Sequence, residues 1–479
     1  MPDKKIIEIL HRTFGLQSFR EPQDEIIRSI LNGNHCIVTM PTGMGKSLCY
    51  QIPALIFDGL TVVISPLISL MKDQVDALIK RGIDAAFINS SLSKAERMQR
   101  YDSLRSEKYK LIYVAPERFR NKEFLSALAT RKIDLLALDE AHCVSQWGND
   151  FRPDYARIRE FRLLMKNPVT AAFTATATSA VRDDIIRMSG LVPEKVLHYD
   201  GGVCRPNLHL ACEEIIDETE KFELLHKIIT RQKGNTVIYF SLIRNIESFS
   251  QFLEMKKIRH SIYHGKLDPD KRRQVQNRFL TAKNSVMLAT NAFGMGVDKS
   301  DIRAIIHADI PDSIESYYQE IGRAGRDGKR SDCTLLYCQD DLAVQISFLE
   351  WKNPDSKFIR DVYQVLHKFG STINSYDYED IQAKVVNRNR GDQRLQTVLN
   401  LFDLYGVTRG SIESGNLHLI GDIPEELSSD DFIREKMMRD RDRLIAIMEY
   451  AKSGQCRRDI IHNYFDSAVS VCGKCDNCN

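Results

Sequence analysis

Short apolar segments alternate with helical patterns through the first two thirds of the chain, and this alternation restricts the fold more than any other feature. Strands that alternate with helices form parallel sheets through right-handed crossovers, and the functional loops then lie at the carboxyl ends of the strands. One set of strands precedes Arg205 and another follows it, so we predict two α/β domains with a hinge near Gly201 and Gly202. The predicted strands are residues 36–40, 61–65, 111–114, 135–138, 169–174, 236–240, 261–263, 285–289, 304–307 and 334–337.

Beyond residue 341 the strand pattern stops. Apolar residues at helical spacing predict a helix over residues 395–404, and glycine turns then precede a short apolar strand at 417–420. Intermixed acidic and basic residues over 430–443 predict a solvated helix face. We therefore expect a mainly helical accessory region, for which a winged-helix-like module is one interpretation.

Composition excludes several classes of protein. With 43% hydrophobic residues the chain is globular, and no apolar run approaches the ~18 residues of a membrane helix. Eleven cysteines are too sparse for a disulfide scaffold, so we expect a soluble protein of a reducing compartment. The 67 Lys and Arg residues against 65 Asp and Glu give a net charge of +2, so a nucleic acid would have to meet a local basic groove.

A glycine-containing loop at residues 40–47 follows the first predicted strand and precedes a helical pattern. Backbone N–H groups and the helix N-terminus in such a loop bind phosphates, Lys46 neutralises the β and γ oxygens, and Ser47 reaches Mg²⁺. The alternative is a turn with a purely structural use. The predicted loop residues are Thr42, Gly43, Met44, Gly45, Lys46 and Ser47.

A pair of carboxylates favours phosphate binding by the loop at 40–47 over a purely structural turn. Residues 133–138 read as a buried strand that ends in Asp139 and Glu140. The first carboxylate would hold Mg²⁺ and the second would activate water, so the two motifs together predict hydrolysis of a nucleoside triphosphate. Arg323 and Arg326, in a glycine-rich segment at 319–328, could supply positive charge to the transition state.

Four cysteines at the end of the chain predict a metal site. Cys456 is followed by Cys472, Cys475 and Cys478, and four thiolates complete the tetrahedral shell of a structural zinc ion. An iron–sulfur cluster is the alternative, because closely spaced cysteines also suit one.

These motifs resemble the RecQ family of superfamily 2 DNA helicases. The resemblance is dense from Phe14 to about Asp340, faint beyond it, and returns at the cysteine cluster. It implies two tandem RecA-like parallel-sheet domains at 1–204 and 205–340, an accessory region at 341–450 and a zinc module at 451–479. The segments that carry it are 14–15, 19–23, 41–51, 65–74, 115–118, 139–142, 145–155, 173–178, 205–208, 293–299, 319–328 and 456–478.

The resemblance also implies roles for individual residues. Arg20 and Gln23 would recognise adenine, Gln319 would line the nucleotide cleft, Arg323 and Arg326 would face the phosphates, and Glu140 would be the catalytic base. Residues 145–153 resemble the family's aromatic-rich loop, which senses single-stranded DNA, since aromatic rings stack on bases and arginine meets phosphate. The residues assigned to nucleic acid are Ser145, Gln146, Trp147, Phe151, Arg152, Thr174 and Thr176.

We therefore predict an ATP-, Mg²⁺- and Zn²⁺-dependent DNA helicase that moves 3′ to 5′ on single-stranded DNA and unwinds tailed duplexes in recombination or repair. It would act as a monomer, in the cytoplasm at a bacterial nucleoid or in a eukaryotic nucleus. An RNA helicase or non-unwinding translocase is one alternative, and a zinc-dependent DNA-binding regulator that uses ATP as a switch is another. The late zinc site indicates either a truncated chain or a short variant with its accessory module, about 353–449, before the cysteines.

Overall fold

A computed structural model describes residues 2–145, 153–294, 299–385, 392–412, 415–467 and 472–478. The chain divides into two compact units. The first comprises residues 1–309, 314–337 and 450–479, and the second comprises 310–313 and 338–449. Within the described ranges, no helix combines the length and the apolar character needed to cross a membrane.

The first sheet of the first unit has seven parallel strands in the order β3-β4-β2-β5-β6-β1-β7. Its strands are β1 His35–Thr39, β2 Leu60–Ile64, β3 Ala85–Ile88, β4 Leu111–Val114, β5 Ile133–Leu138, β6 Val169–Thr174 and β7 Val196–Asp200. Its helices are α1 Pro2–Arg12, α2 Gln23–Leu31, α3 Leu48–Ile56, α4 Ile68–Lys80, α5 Lys94–Arg105, α6 Lys122–Leu128, α7 Ile158–Leu164 and α8 Ser179–Met188.

Helices cover both faces of this sheet, which explains why its strands are continuous apolar runs. Ile37 belongs to one buried cluster and its neighbours Cys36 and Val38 to another, as expected when alternate side chains point to opposite faces. The five strands predicted for this domain are confirmed. Strands β3 and β7 were missed because the first is short and alanine-rich and the second is a largely exposed edge strand.

The second sheet has six parallel strands in the order β10-β11-β9-β12-β13-β8. Its strands are β8 Leu208–Glu214, β9 Asn235–Tyr239, β10 Ser261–Tyr263, β11 Val286–Ala289, β12 Ile302–His307 and β13 Ser331–Tyr337. Its helices are α9 Glu218–Arg231, α10 Ile243–Met255, α11 Pro269–Thr281 and α12 Ile314–Ile321. All five predicted strands are present, so the expected architecture of two RecA-like parallel-sheet domains is confirmed.

The second unit is mainly helical, as predicted. Its helices pack around a core that includes Phe358, Val362, Leu395 and Phe402. The predicted strand at 417–420 pairs in an antiparallel hairpin of two residues a side. The helices and strands that lie within this unit are α13 Asp341–Lys352, α14 Ser356–Phe369, α15 Tyr378–Val385, α16 Arg394–Leu404, β14 Thr408–Arg409, β15 His418–Leu419 and α17 Glu425–Ser428. Helix α18 Asp430–Lys452 begins in the second unit and ends in the first, and α19 Arg457–Tyr464 belongs to the first.

The register of the first sheet brings its functional loops together. Thr39 on β1 lies opposite Thr174 on β6, and Leu138 on β5 lies opposite Ala172. Strands β1, β6 and β5 are therefore neighbours whose carboxyl ends meet at one edge of the sheet. The predicted phosphate loop, residues 40–47, follows β1, and the carboxylate pair of Asp139 and Glu140 follows β5, so the parallel register alone places both motifs in one site.

Candidate nucleotide site and metal centre

The phosphate loop connects β1 to α3. Gly43 and Gly45 have φ angles of +84° and +80°, a left-handed conformation that glycine adopts without steric cost. The ammonium of Lys46, near the end of the loop, donates to the carbonyl of Met40 at its start, at 2.9 Å. Removal of Lys46 from water lowers its pKa, although the carboxylates of Glu140 and Asp139 oppose this effect.

Two side chains before β1 support the loop from outside. Arg20 Nη1 donates to the carbonyl of Gly43 at 2.7 Å. Gln23 Nε2 donates to the carbonyls of Met44 at 2.9 Å and Gly45 at 3.1 Å. In this structure both residues hold the loop backbone, and their adenine recognition stays a prediction.

The carboxylate pair lies at the end of β5. Asp139 is 7% exposed, and Ser65 Oγ, at the end of β2, donates to its Oδ2 at 3.4 Å. Burial and, second, the charge of Glu140 raise the pKa of Asp139 to about 7. Glu140 has a φ of +48°, and its side chain remains 22% exposed. Asp139 is therefore buried where a cation could neutralise it, whereas Glu140 remains partly accessible to water.

His142 joins three motifs, a role that the sequence analysis did not assign. Its Nδ1 lies 3.5 Å from Glu140 Oε2 and 3.1 Å from Thr174 Oγ1. Its Nε2 lies 3.3 Å from Gln319 Nε2 on α12 of the second sheet. The imidazole thus connects the proposed base, the end of β6 and the second sheet. The signals in the sequence were its place two residues after Glu140 and its position in segment 139–142, which carries the family resemblance.

Three residues assigned to nucleic acid are buried in this structure. Thr174 and Ser145 have no exposed surface, and Thr176 is 3% exposed. Thr174 Oγ1 donates to the carbonyl of Thr176 at 2.8 Å, and Ser145 Oγ donates to Asp184 Oδ2 at 2.7 Å. The hydroxyls of Thr174 and Ser145 are therefore hydrogen-bonded within the protein, and contact of all three residues with nucleic acid stays a prediction.

The other residues assigned to nucleic acid fall outside the described ranges. These residues are Gln146, Trp147, Phe151 and Arg152. Residues 295–298 of the 293–299 motif also lie outside them.

The two sheets meet at the phosphate loop. Thr42 Oγ1 donates to the carbonyl of Gly322 at 2.8 Å. A Cβ on Gly43 would lie 3.3 Å from Arg326 Cγ, so the stem of this arginine rests on the loop. Arg323 instead donates to the carbonyl of Gly294. The structure therefore brings Arg326 to the phosphate loop and holds Arg323 within the second sheet's own loops.

The four cysteines at the end of the chain form one cluster. Their Sγ atoms all lie within 4.8 Å of one another, and those of Cys456 and Cys475 are 4.0 Å apart. Tetrahedral zinc with Zn–S bonds of about 2.3 Å requires sulfurs about 3.8 Å apart, so the donor set fits zinc.

An ion pair joins the two halves of this cluster. Arg457, the residue after the first ligand, donates from Nε to Asp476 Oδ1 at 2.9 Å and from Nη2 to Oδ2 at 3.2 Å. Asp476 Oδ2 also accepts the backbone N–H of Cys212 at 2.7 Å, and Leu210 forms a parallel bridge with Cys475. The loop of residues 472–478, called the metal loop below, thus covers β8, an edge strand of the second sheet.

Three family models match the chain. The model described as DEAD/DEAH box helicase matches residues 20–184, and the helicase conserved C-terminal domain matches 220–328. The model described as RecQ zinc-binding matches 425–479. The first two contain the site at the sheet edges, and the third contains the cysteine cluster.

Curated relatives match most of the chain. The ATP-dependent DNA helicase RecQ of Bacillus subtilis is 44% identical over 359 residues, which are 74% of this chain and 60% of the relative. The probable ATP-dependent DNA helicase RecS of the same organism is 36% identical over 400 residues, 83% of this chain and 79% of the relative. The chain spans 53% to 60% of the length of three RecQ relatives that it matches.

Solved structures of low identity share the fold. Saccharomyces cerevisiae Dbp5 bound to RNA and ADP BeF3 superposes with a TM-score of 0.57 at 18% identity, covering 72% of this chain and 89% of the Dbp5 chain. The helicase MrfA bound to DNA and AMPPNP gives 0.58 at 20% identity, covering 72% of this chain and 52% of MrfA. At this identity the likeness concerns the fold alone.

Proposed function

The chain belongs to the RecQ family of superfamily 2 helicases, and we propose that it is a Mg²⁺-dependent ATPase that moves on single-stranded DNA and unwinds duplex DNA. One observation carries this proposal. Both sheets contribute to one site. The first sheet supplies the phosphate loop and the Asp139–Glu140 pair at the carboxyl ends of its strands, and the second supplies Arg326, which contacts the same loop. A site divided in this way can couple ATP binding and hydrolysis to relative movement of the two sheets.

Each residue at the edge has a distinct task in the proposed reaction. Lys46 would bind the β and γ phosphates, Ser47 and Asp139 would hold Mg²⁺, and Glu140 would orient and deprotonate the attacking water. When bound there, Mg²⁺ would neutralise part of the phosphate charge. Arg326 would stabilise charge that develops on the transferred group.

Arg323 and Gln319 would act in closure of the site. Arg323 is held by the carbonyl of Gly294 and would reach the phosphates when the loops rearrange around ATP. Gln319 contacts His142, which in turn contacts Glu140 and Thr174. We propose that, through these contacts, the position of the second sheet affects the catalytic base Glu140.

The proposed DNA contact rests on the resemblance of residues 145–153 to an aromatic-rich loop and on the B. subtilis relatives, which are named as DNA helicases. Trp147 and Phe151 would stack on bases, Arg152 would contact phosphate, and Gln146 would bind the same nucleic acid. The buried hydroxyls of Ser145 and Thr174 would transmit the state of this loop to His142. Movement 3′ to 5′ and a role in recombination or repair come from the family resemblance.

The domain assignment follows the same proposal. We place RecA-like domains at 1–204 and 205–340, the accessory region at 341–450 and the zinc module at 451–479. The protein would act as a monomer on single-stranded DNA and tailed duplexes, in whichever compartment holds the chromosome. The cysteine cluster would bind structural zinc.

Unwinding of tailed duplexes tests this function. With ATP and Mg²⁺, a duplex with a 3′ single-stranded tail should be separated, whereas a 5′-tailed or blunt duplex should not. Glu140→Gln should lower ATP turnover by roughly 10²- to 10⁴-fold while retaining ATP binding. Glu123→Gln, on an exposed side chain of α6, is the matched control and should unwind normally.

Two results would contradict the proposal. Separation of 5′-tailed duplexes alone would overturn the direction. Ordinary hydrolysis by Glu140→Gln would remove the proposed base.

A further inference from the structure

Arg205 connects the phosphate loop to the loop that carries the catalytic arginines. Its Nη1 donates to the carbonyls of Thr42 at 3.2 Å and Gly322 at 3.0 Å. Its Nη2 donates to the carbonyls of Ala324 at 2.7 Å and Gly325 at 3.2 Å. A single guanidinium therefore bonds carbonyls that belong to both sheets' functional loops. The nucleotide chemistry described above gives this arginine no task.

The contact with Thr42 completes a row of supported carbonyls. Arg205 bonds the carbonyl of Thr42, Arg20 bonds that of Gly43, and Gln23 bonds those of Met44 and Gly45. In a trans peptide the C=O and the following N–H point in opposite directions. Fixing these carbonyls on the outside directs the N–H groups to the inside, the side from which such a loop binds phosphate.

Arg205 differs from the other two supports because its backbone is held by the zinc module at residues 451–479, called the metal module below. Arg458, two residues after the first cysteine ligand, is 5% exposed. Its Nη2 donates to the carbonyls of Arg205 at 3.2 Å, Pro206 at 3.3 Å and Leu208 at 2.7 Å. The segment 205–208 thus lies between the metal module and the nucleotide site.

We propose that Arg205 is a positioning residue that prepares the phosphate loop for nucleotide, and that Arg458 supports it by fixing the backbone of residues 205–208. The metal module then acts on nucleotide affinity through one identified connection. This inference rests on the nucleotide site of the proposed function, but it requires neither DNA nor unwinding. Spatial connection alone does not demonstrate energetic coupling, so the test is a double-mutant cycle.

The measurement is the dissociation constant of a fluorescent ADP analogue in the absence of DNA, with zinc content and thermal midpoint recorded for each full-length variant. Arg205→Met keeps the aliphatic stem and removes the donors, and should weaken binding roughly tenfold or more, since charge-assisted hydrogen bonds are lost. Arg205→Lys keeps one charged donor group without the planar fork and should recover part of the affinity.

Arg458→Met should weaken nucleotide binding by roughly three- to tenfold while zinc remains bound. The double variant should bind within about twofold of Arg205→Met alone, because both changes act through the same connection. Lys474→Met is the matched control. Its exposed Nζ lies 3.5 Å from the carbonyl of Pro206, and its loss should leave affinity unchanged.

Three results would overturn the inference. Unchanged affinity in Arg205→Met would refute the positioning role. Independent effects that multiply in the double variant would refute the route through residues 205–208. A loss that follows zinc content and thermal midpoint would indicate a merely structural Arg458. Should Arg458→Met release zinc, Arg458→Lys takes its place in the cycle.

Different results would refute the proposed function and the positioning role of Arg205. A wild-type protein that binds no nucleotide would contradict the proposed function. A wild-type protein that binds nucleotide, beside an unaffected Arg205→Met, would contradict this inference alone.

Discussion

Replacement of Asp476 by Asn should weaken zinc binding strongly, although Asp476 is not a ligand. Its carboxylate accepts Arg457 Nε and the N–H of Asn477 on Oδ1, both at 2.9 Å. Its Oδ2 accepts Arg457 Nη2 at 3.2 Å and the N–H of Cys212 at 2.7 Å. An asparagine retains one acceptor oxygen, so two of these donors would face an amide nitrogen.

The expected magnitude follows from burial. The side chain of Arg457 is 5% exposed and that of Asp476 is 23% exposed. Breaking a fully buried ion pair costs roughly 3–5 kcal/mol, and water can replace part of the interaction at a partly exposed carboxylate, so we expect about 2 kcal/mol. Because this pair joins the two halves of the ligand set, the loss should appear as a roughly thirtyfold higher zinc dissociation constant.

Competition with a chromophoric chelator measures that constant directly. Asp102→Asn is the matched control, since it removes the same charge from an exposed pair with Arg105 on α5. It should leave zinc affinity unchanged. If Asp476→Asn binds zinc within about threefold of the wild type, the ion pair does not hold the metal module together and the reasoning is refuted.

Three further changes should have distinct effects. A Cβ at Gly322 would lie 2.3 Å from Thr42 Oγ1, so Gly322→Ala should displace the two loops by about 1 Å and lower kcat/KM for ATP at least roughly tenfold in a steady-state assay. Lys221→Met would leave Asp309 as a buried unpaired charge and should lower the free energy of unfolding by about 3 kcal/mol in denaturant titrations. Cys475→Ser should abolish stoichiometric zinc in metal analysis, because a hydroxyl replaces a thiolate ligand.

Controls separate these effects from general damage. Gly454→Ala adds a Cβ where no atom lies within 4 Å, and should retain wild-type ATP kinetics. Lys72→Met breaks an exposed pair with Asp76 and should unfold at the wild-type denaturant concentration. Wild-type kinetics in Gly322→Ala would show that the loops tolerate separation, and unchanged stability in Lys221→Met would show that Asp309 does not depend on the ion pair. Full zinc occupancy in Cys475→Ser would remove this cysteine from the ligand set.

Much of the fold was predictable because buried parallel strands are continuous apolar runs. Strand β8, at one edge of the second sheet, lacks that signal because its residues alternate and are partly exposed, so it was missed although the metal loop packs on it. The phosphate loop and the carboxylate pair were predictable from sequence because each is a local motif at a strand end.

Contacts between segments that are far apart in the chain leave no local pattern in the sequence. The four carbonyls bonded by Arg205 and the three bonded by Arg458 belong to residues whose side chains are irrelevant to the bond. The burial of Thr174 was equally hidden, because its hydroxyl is enclosed by His142 and Thr176 rather than by sequence neighbours alone. Sequence motifs identified the chemical groups, and only the folded chain shows which of them are connected.

Steady-state ATP hydrolysis with no polymer, with single-stranded DNA and with single-stranded RNA shows whether this protein is a DNA-dependent motor, with Glu140→Gln measured beside the wild type. Hydrolysis by the wild type should be stimulated strongly by DNA and little by RNA, and the variant should hydrolyse almost no ATP under any condition. Equal or greater stimulation by RNA would contradict the assignment to DNA. Absence of turnover with every polymer would contradict the motor itself and favour a nucleotide-dependent switch.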